Sequence, residues 1–345
     1  MTIFHLAGAD TSALTHFALY GLANIVESET TRTVLLRWNP ENRTAELDLD
    51  GLHHDDIGQA VHSHATRCAE PTSWLHARVD HGGRPNTAAF SPRIKLAARD
   101  QEWRTLQNVR NTHLDTLLDT NAYLDLAMIG GLGEPAHWRF VGKERRPDHG
   151  ASRWEMKTRN QGEEFVGQRL LPMAEAVANR TSDAILEGLA GKAVIDELAG
   201  RKPNSQTATG FTRPATTDCA LAWCALWGIT NFPTIHRIST ISRTPAAYPT
   251  RVLHPTTMVL PIITAPITTA RLRTVLLSEA FDTIADHLIA QPDDEPDATA
   301  TDASSKWLAA RGIPAVMVFP IQKIGSDAAP QRIILAGQVE LLPSV

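Results

Sequence analysis

The chain has 345 residues, of which 43% are hydrophobic and 21% charged, and its formal net charge is −5. This is ordinary globular usage, long enough for two or three cores, and it excludes wholesale disorder. The net charge offers no overall attraction to polyanions, so any such binding has to come from local clusters. Three cysteines (Cys68, Cys219 and Cys224) form no CxxC pair and read as free thiols in a reducing compartment. The opening MTIFHLAGAD lacks a basic stretch leading into an apolar run, and no apolar stretch approaches the ~20 residues that span a bilayer. A cytoplasmic protein without membrane contact is expected.

In chain order, residues 2–7 read as a short strand. Residues 12–27 place Leu14, Phe17, Ala18, Gly21 and Ile25 on one helical face, with Asp10, Thr11 and Ser12 as candidate caps. Strands follow at 33–38 and 44–49 around the NPEN turn. Asp55 and Asp56 open a helix that runs to Cys68, and 74–79 alternates as a strand. The order is β-α-β-β-α-β, that of a ferredoxin-like module over residues 1–80.

Residues 81–210 form a mainly helical middle region with basic loops. It starts with the HGGRPN loop, continues with helical stretches near 100–126, 162–178 and 182–199, and ends in a linker at 202–210. Gly130, Gly131 and Gly133 lack the strand-before, helix-after setting of a dinucleotide loop and read as a turn. Residues 211–345 then repeat the opening theme. ALTHFALYGLANI (13–25) aligns without gaps on ALAWCALWGITNF (220–232), with six identities in thirteen pairs, including Gly21/Gly228 and Asn24/Asn231. Strand-like 234–242 and 256–263, helical 269–290 and strand-like 315–321 follow, with a solvated acidic insertion at 291–302. The fold class expected is α+β, with tandem ferredoxin-like modules around the helical middle region. Two unrelated amphipathic helices remain the alternative to a duplication.

No GxxxxGK[ST], GxSxG or HExxH motif is present. His53, His54, Asp55 and Asp56 cluster, with His62 and His64 nearby, but His62 and His64 are two apart and point to nearly opposite sides of a helix. The aspartates are natural helix caps, and neither a metal nor a cofactor is expected. Cys219 and Cys224 read as core beside Trp223 and Trp227.

The basic residues carry more information. Residues 137–160 hold Arg139, Lys143, Arg145, Arg146, Arg153, Lys157 and Arg159, interleaved with Trp138 and Trp154, which could stack on bases. Residues 199–251 hold Arg201, Lys202, Arg213, Arg237, Arg243 and Arg251 against Asp218 alone. Arg84, Arg93, Lys95 and Arg99 form a third group. Arginine outnumbers lysine throughout, as bidentate phosphate contact favours. Nucleic-acid binding is the expectation, and a solvated, salt-bridged surface is the alternative.

Three short stretches, ALWGITNFP (225–233), SPR (91–93) and RNQGEEF (159–165), carry a resemblance together with length and segment order. On them the chain resembles the short large-subunit-like proteins of type I-U (I-G) CRISPR systems, over most of its length. The resemblance implies a non-catalytic subunit of a guide-RNA surveillance complex. Its implied partners are guide RNA, target DNA, other effector subunits and the helicase-nuclease. In such complexes base pairing carries sequence specificity while protein grips backbone. The chain departs from larger members in its shortness and in lacking an obvious C-terminal helical bundle, which puts direct reading of a protospacer-adjacent motif in doubt. Two alternatives stay open: a metal-independent guide-RNA-processing endonuclease with His53, His54, His236 or His254 as base, and a protein-only scaffold.

Overall fold

The computed structural model describes residues 2–81, 83–94, 100–155, 165–199, 209–290, 297–324 and 331–342. β1 (Ile3–Leu6) leads into α1 (Ala13–Thr30), in which every residue from Ala13 to Val26 is buried. A helix apolar on all sides belongs inside a protein rather than on its surface. Asp10 is not the cap of α1. Its carboxylate pairs with Arg43, and its carbonyl accepts a hydrogen bond from His16 Nε2 at 2.7 Å. The helix ends at Thr31, whose φ is +55°.

β2 (Leu35–Trp38) and β3 (Ala45–Asp48) follow, then α2 (His54–Ala69), where the His53 amide donates to Asp56 Oδ2 at 2.7 Å. The three strands form an antiparallel sheet in the order β1-β3-β2. Residues 74–76 make a 3₁₀ turn rather than the start of the expected strand. β4 (Arg78–His81) then pairs with β5 (Arg84–Ala88) as a separate hairpin instead of joining β1. The free edge of β1 is occupied by other groups: the Ala7 amide donates to Leu189 O at 2.8 Å, and His54 Nε2 donates to Ile3 O at 3.0 Å.

The middle region is helical but more broken than expected. α3 (Asp100–Asp119) and α4 (Tyr123–Leu132) are separated by Asn121, which has φ +57°. Gly130 and Gly131, read from sequence as a turn, lie inside α4. Only Gly133, with φ +78°, breaks the chain there. A Cβ on Gly131 would stand 2.7 Å from Ile229 O, so glycine is needed for close helix packing. β6 (Phe140–Val141) and β7 (Glu144–Arg145) form a short hairpin. α5 (Leu171–Ala178) and α6 (Ser182–Leu189) come next, and α6 stops well short of residue 199.

In the last third, α7 (Cys219–Trp227) precedes β8 (Ala247–Tyr248) and β9 (Thr257–Ile262). The expected strand at 234–242 is a loop pinned by one antiparallel bridge, Ile235 to Arg243. The expected long helix divides at the Ser278 cap into α8 (Thr269–Leu276) and α9 (Glu279–Ile289). Of the acidic insertion, 291–296 lies outside the described residues, and Asp297 caps α10 (Ala298–Ala309). β10 (Ala315–Ile324) pairs directly with β9 and also with β11 (Gln331–Ile334) and β12 (Gln338–Leu341). The architecture is α+β with small antiparallel sheets. Trp38 N–H donating to Ile263 O, and the reciprocal Leu36–Ile267 bonds, tie the first sheet to the last third. One apolar core therefore runs from Phe4 to Ile334.

The two sequence-related helices pack on each other, and Gly21 and Gly228 face the partner helix rather than a sheet. A Cβ on Gly21 would lie 1.9 Å from Cys224 O, and one on Gly228 would lie 2.2 Å from Phe17 O. Phe17 and Cys224 are themselves equivalent in the alignment, so the contact is reciprocal. The equivalent asparagines are also joined. Arg273 donates to Asn24 Oδ1 at 3.0 Å and to Asn231 Oδ1 at 3.2 Å.

Burial also gives the fold an acid limit. His16 is fully buried, and desolvation outweighs its bond to Asp10 O, taking its pKa down to about 3. The unfolded chain binds a proton on His16 below ~6.5 while the folded chain does not, so this contribution to stability is lost as pH falls through that value. Between pH 6.5 and 5 the expected loss is about 2 kcal/mol, measured by urea unfolding. Replacing His16 with glutamine should flatten the pH dependence over this window.

Candidate nucleic-acid interface

Cationic side chains meet nucleic acid only where they face water, and the structure sorts the sequence-derived set by that criterion. Lys95, Lys157 and Arg159 lie outside the described residues, as do Arg99, Arg201 and Lys202. Three others are committed inside the protein. Arg93 pairs with buried Glu155 at 2.6 Å, and Arg243 pairs with Asp282. Arg153 is buried and donates to the carbonyls of Leu253, Asp148 and Ala151. Trp154, expected as a base-stacking platform, is fully buried and donates to Pro245 O at 3.1 Å, so no base can reach it.

Several of the remaining cations gather around the β6–β7 hairpin: Lys143 and Arg146 are exposed, and Arg139 and Arg145 half-buried. Gly142, with φ +61°, makes its turn, and a Cβ there would meet nothing within 4 Å, so the tip stands clear of the body. Phe140 and Val141 are each 46% exposed beside exposed Lys143. The Arg145 guanidinium lies 4.9 Å from the Phe140 ring centre and 3.3 Å from Asp100. Arg146 meets Glu144 at 2.7 Å with both side chains solvated, a pairing of little energetic weight. Arg139 donates to the neighbouring carbonyl of Phe140.

The root of the hairpin is firmly held. His137 stacks on Trp103 at 4.3 Å, with planes 6° apart. Burial first, then the Arg145 charge, holds the His137 pKa below its ordinary value. Trp138 donates its indole N–H to Arg237 O at 3.2 Å and meets His236 edge to face. This docks the 235–243 loop beside the hairpin and brings Arg237 to the same face, with Ile238 75% exposed. Arg84 is exposed and stands opposite His81 in the β4–β5 hairpin. Arg213 and Arg251 are exposed, with no ion pair for either among the described residues, and Arg213 lies by Thr11, Ser12 and Phe211 rather than at the hairpin.

The histidines do not converge. His54 serves Ile3 O, His62 serves Ala178 O, and His64 is buried against Trp223 and Trp227. Among the described residues no group of three His, Cys, Asp or Glu side chains could hold a metal ion, and no helix is long and apolar enough to cross a membrane. Sequence reasoning passed over Phe140, Val141 and Ile238. Their signal was apolar residues inside a turn-rich basic stretch.

The chain matches no protein-family model, and no curated protein is significantly similar to it.

Proposed function

We propose that this protein is a non-catalytic, cytoplasmic subunit of a type I CRISPR guide-RNA surveillance complex that grips the backbone of guide RNA or target DNA. The observation that carries the reading is the projecting β6–β7 hairpin, which offers Lys143, Arg145, Arg146 and Arg139 around exposed Phe140 and Val141. Cations neutralise phosphates, and an exposed aromatic ring among them supplies a stacking surface for a base. The Arg237–Ile238 loop extends the same chemistry. Other effector subunits and the helicase-nuclease are the protein partners in this reading. The reciprocal Gly21/Gly228 contact and the shared Arg273 bridge support descent from a duplicated ferredoxin-like module. The test is binding of RNA and duplex DNA across a salt series by the wild type and by Lys143→Glu/Arg146→Glu, with weaker binding of every sequence expected for the variant.

A second reading has one observation in its favour. His236 lies on this face beside Arg237 and accepts or donates with Ser242 Oγ at 3.2 Å, and burial keeps its pKa below the ordinary value. A neutral imidazole next to a cationic strip is the equipment of a guide-RNA-processing base. Cleavage of a repeat RNA by the wild type, lost in His236→Ala, would select this reading instead.

A further inference from the structure

Arginine is rarely buried unless its charge is matched, because removing a guanidinium from water costs several kcal/mol. Three arginines, Arg93, Arg153 and Arg332, converge around Leu253 and Glu155. Arg153 and Arg332 are 2% and 3% exposed, and Arg93 is only a little less buried. Arg153 and Arg332 each place a terminal nitrogen 3.0 Å from the same acceptor, Leu253 O. The remaining bonds of these two also go to backbone carbonyls: Arg153 to those of Asp148 and Ala151, and Arg332 to that of Glu155 at 3.1 Å. Among the described residues only Arg93 of the three reaches a carboxylate, that of Glu155. Among the described residues, then, two buried guanidiniums are held by neutral oxygens alone, and Arg153 Nε has no hydrogen-bond partner.

The surroundings register the surplus. His254 adjoins Leu253, and its buried Nδ1 has no partner among the described residues. Burial first, then the charges of Arg332, Arg93, Lys323 and Arg153, take its pKa down to about 4. The acids acting on the cluster are Glu155 and Asp148. Carbonyl oxygens orient guanidiniums but cancel none of their charge, so among the described residues the three arginines outnumber the acids acting on them, Glu155 and Asp148.

We propose that the Arg93–Arg153–Arg332 cluster is a binding site for a phosphate group, with His254 at its margin. Phosphate suits it because forked N–H donors match tetrahedral oxygens and its negative charge offsets the surplus. The group can come from free phosphate or from the phosphorylated end of a nucleic acid. The site uses none of the exposed hairpin residues, so it stands or falls separately from the proposed function.

The test uses the full chain and inorganic phosphate, with the His254 ring followed by NMR and thermal unfolding in parallel. A bound anion favours imidazolium, so the His254 pKa is expected to rise by about one unit or more, saturably. The melting temperature should rise over the same concentrations. Lys143→Glu/Arg146→Glu should keep both responses and Arg332→Gln should lose both. Arg93→Gln, at the more exposed edge, takes its place if that variant does not fold. A 5′-phosphorylated oligonucleotide that moves His254 where its unphosphorylated twin does not identifies a nucleic-acid end as the source. Response to inorganic phosphate alone identifies the free ion. A His254 resonance unmoved by phosphate, with melting that rises equally in sulfate and in Arg93→Gln, would reduce the cluster to a structural tie stabilised by general salt effects.

Discussion

Replacing Gly21 with alanine is expected to lower stability by about 3 kcal/mol, at the upper end of overpacking costs, or to abolish folding outright. The added Cβ would sit 1.9 Å from Cys224 O and 2.6 Å from Gly228 N, both backbone atoms. No side-chain rotation relieves such a contact, so one of two largely buried helices has to move. Gly228→Ala should cost a similar amount, because its Cβ would meet Phe17 O at 2.2 Å. Gly130 is the control. It is exposed inside α4, and a Cβ there meets nothing within 4 Å. Gly130→Ala should therefore stabilise the protein by up to ~1 kcal/mol through helix propensity. Chemical denaturation of the three variants measures this, and opposite signs for the same substitution are the expected result.

Asp218→Ala is expected to cost about 3–5 kcal/mol, the usual result of removing one partner from a buried ion pair. Asp218 is buried and caps α7 by accepting from the amides of Ala220 at 2.8 Å and Leu221 at 3.3 Å. It also accepts from the Ile195 amide at 2.9 Å, and both its oxygens lie 3.0 Å from Arg180 Nη1. Arg180 is bound on its other side by Glu197 at 2.6 Å, and that partner is partly solvated. Asp218→Asn keeps an acceptor for the cap while removing the charge, so it should lose less than alanine does. Equal losses in the two variants would mean that the charge of Asp218 carries the whole effect and the cap carries none.

Much of the local structure was legible because periodicity reports burial. The helices of the first 70 residues and strands β1 to β3 fall within a few residues of where alternation and caps put them. What periodicity did not convey was the partner. The 13–25 stretch was read as one apolar face on a sheet, although its apolar residues run around the whole helix, which is the mark of burial on every side. Gly130 and Gly131 suggested a turn because glycine is a poor helix former, but close approach to Ile229 outweighs propensity at Gly131. The 234–242 stretch alternates like a strand yet leaves Ile235 and Ile238 in water. Its position is set by Trp138 and His149, more than eighty residues earlier in the chain.

The candidate interface was legible as a stretch of sequence and illegible residue by residue. Arginine has one letter for two fates. Arg153 lies in the same run as Arg146 yet is buried among carbonyls, while Arg146 is solvated. Arg332, in the QRII strand β11, gave no sign of belonging with Arg93 and Arg153, because convergence of three distant segments is a property of the fold alone.

The central claim, that the β6–β7 face grips nucleic-acid backbone, is tested most directly by the salt dependence of binding. Lys143→Glu/Arg146→Glu changes two exposed side chains whose only ion pair among the described residues is the solvated one between Arg146 and Glu144, so circular dichroism should report an unchanged fold. Each lost duplex phosphate contact removes about 0.9 from the log–log slope of affinity against salt, and each single-strand contact about 0.7. Two lost contacts on duplex DNA should therefore flatten the slope by about 1.8 and weaken binding alike for all sequences. A folded variant with the affinity and slope of the wild type would contradict the account.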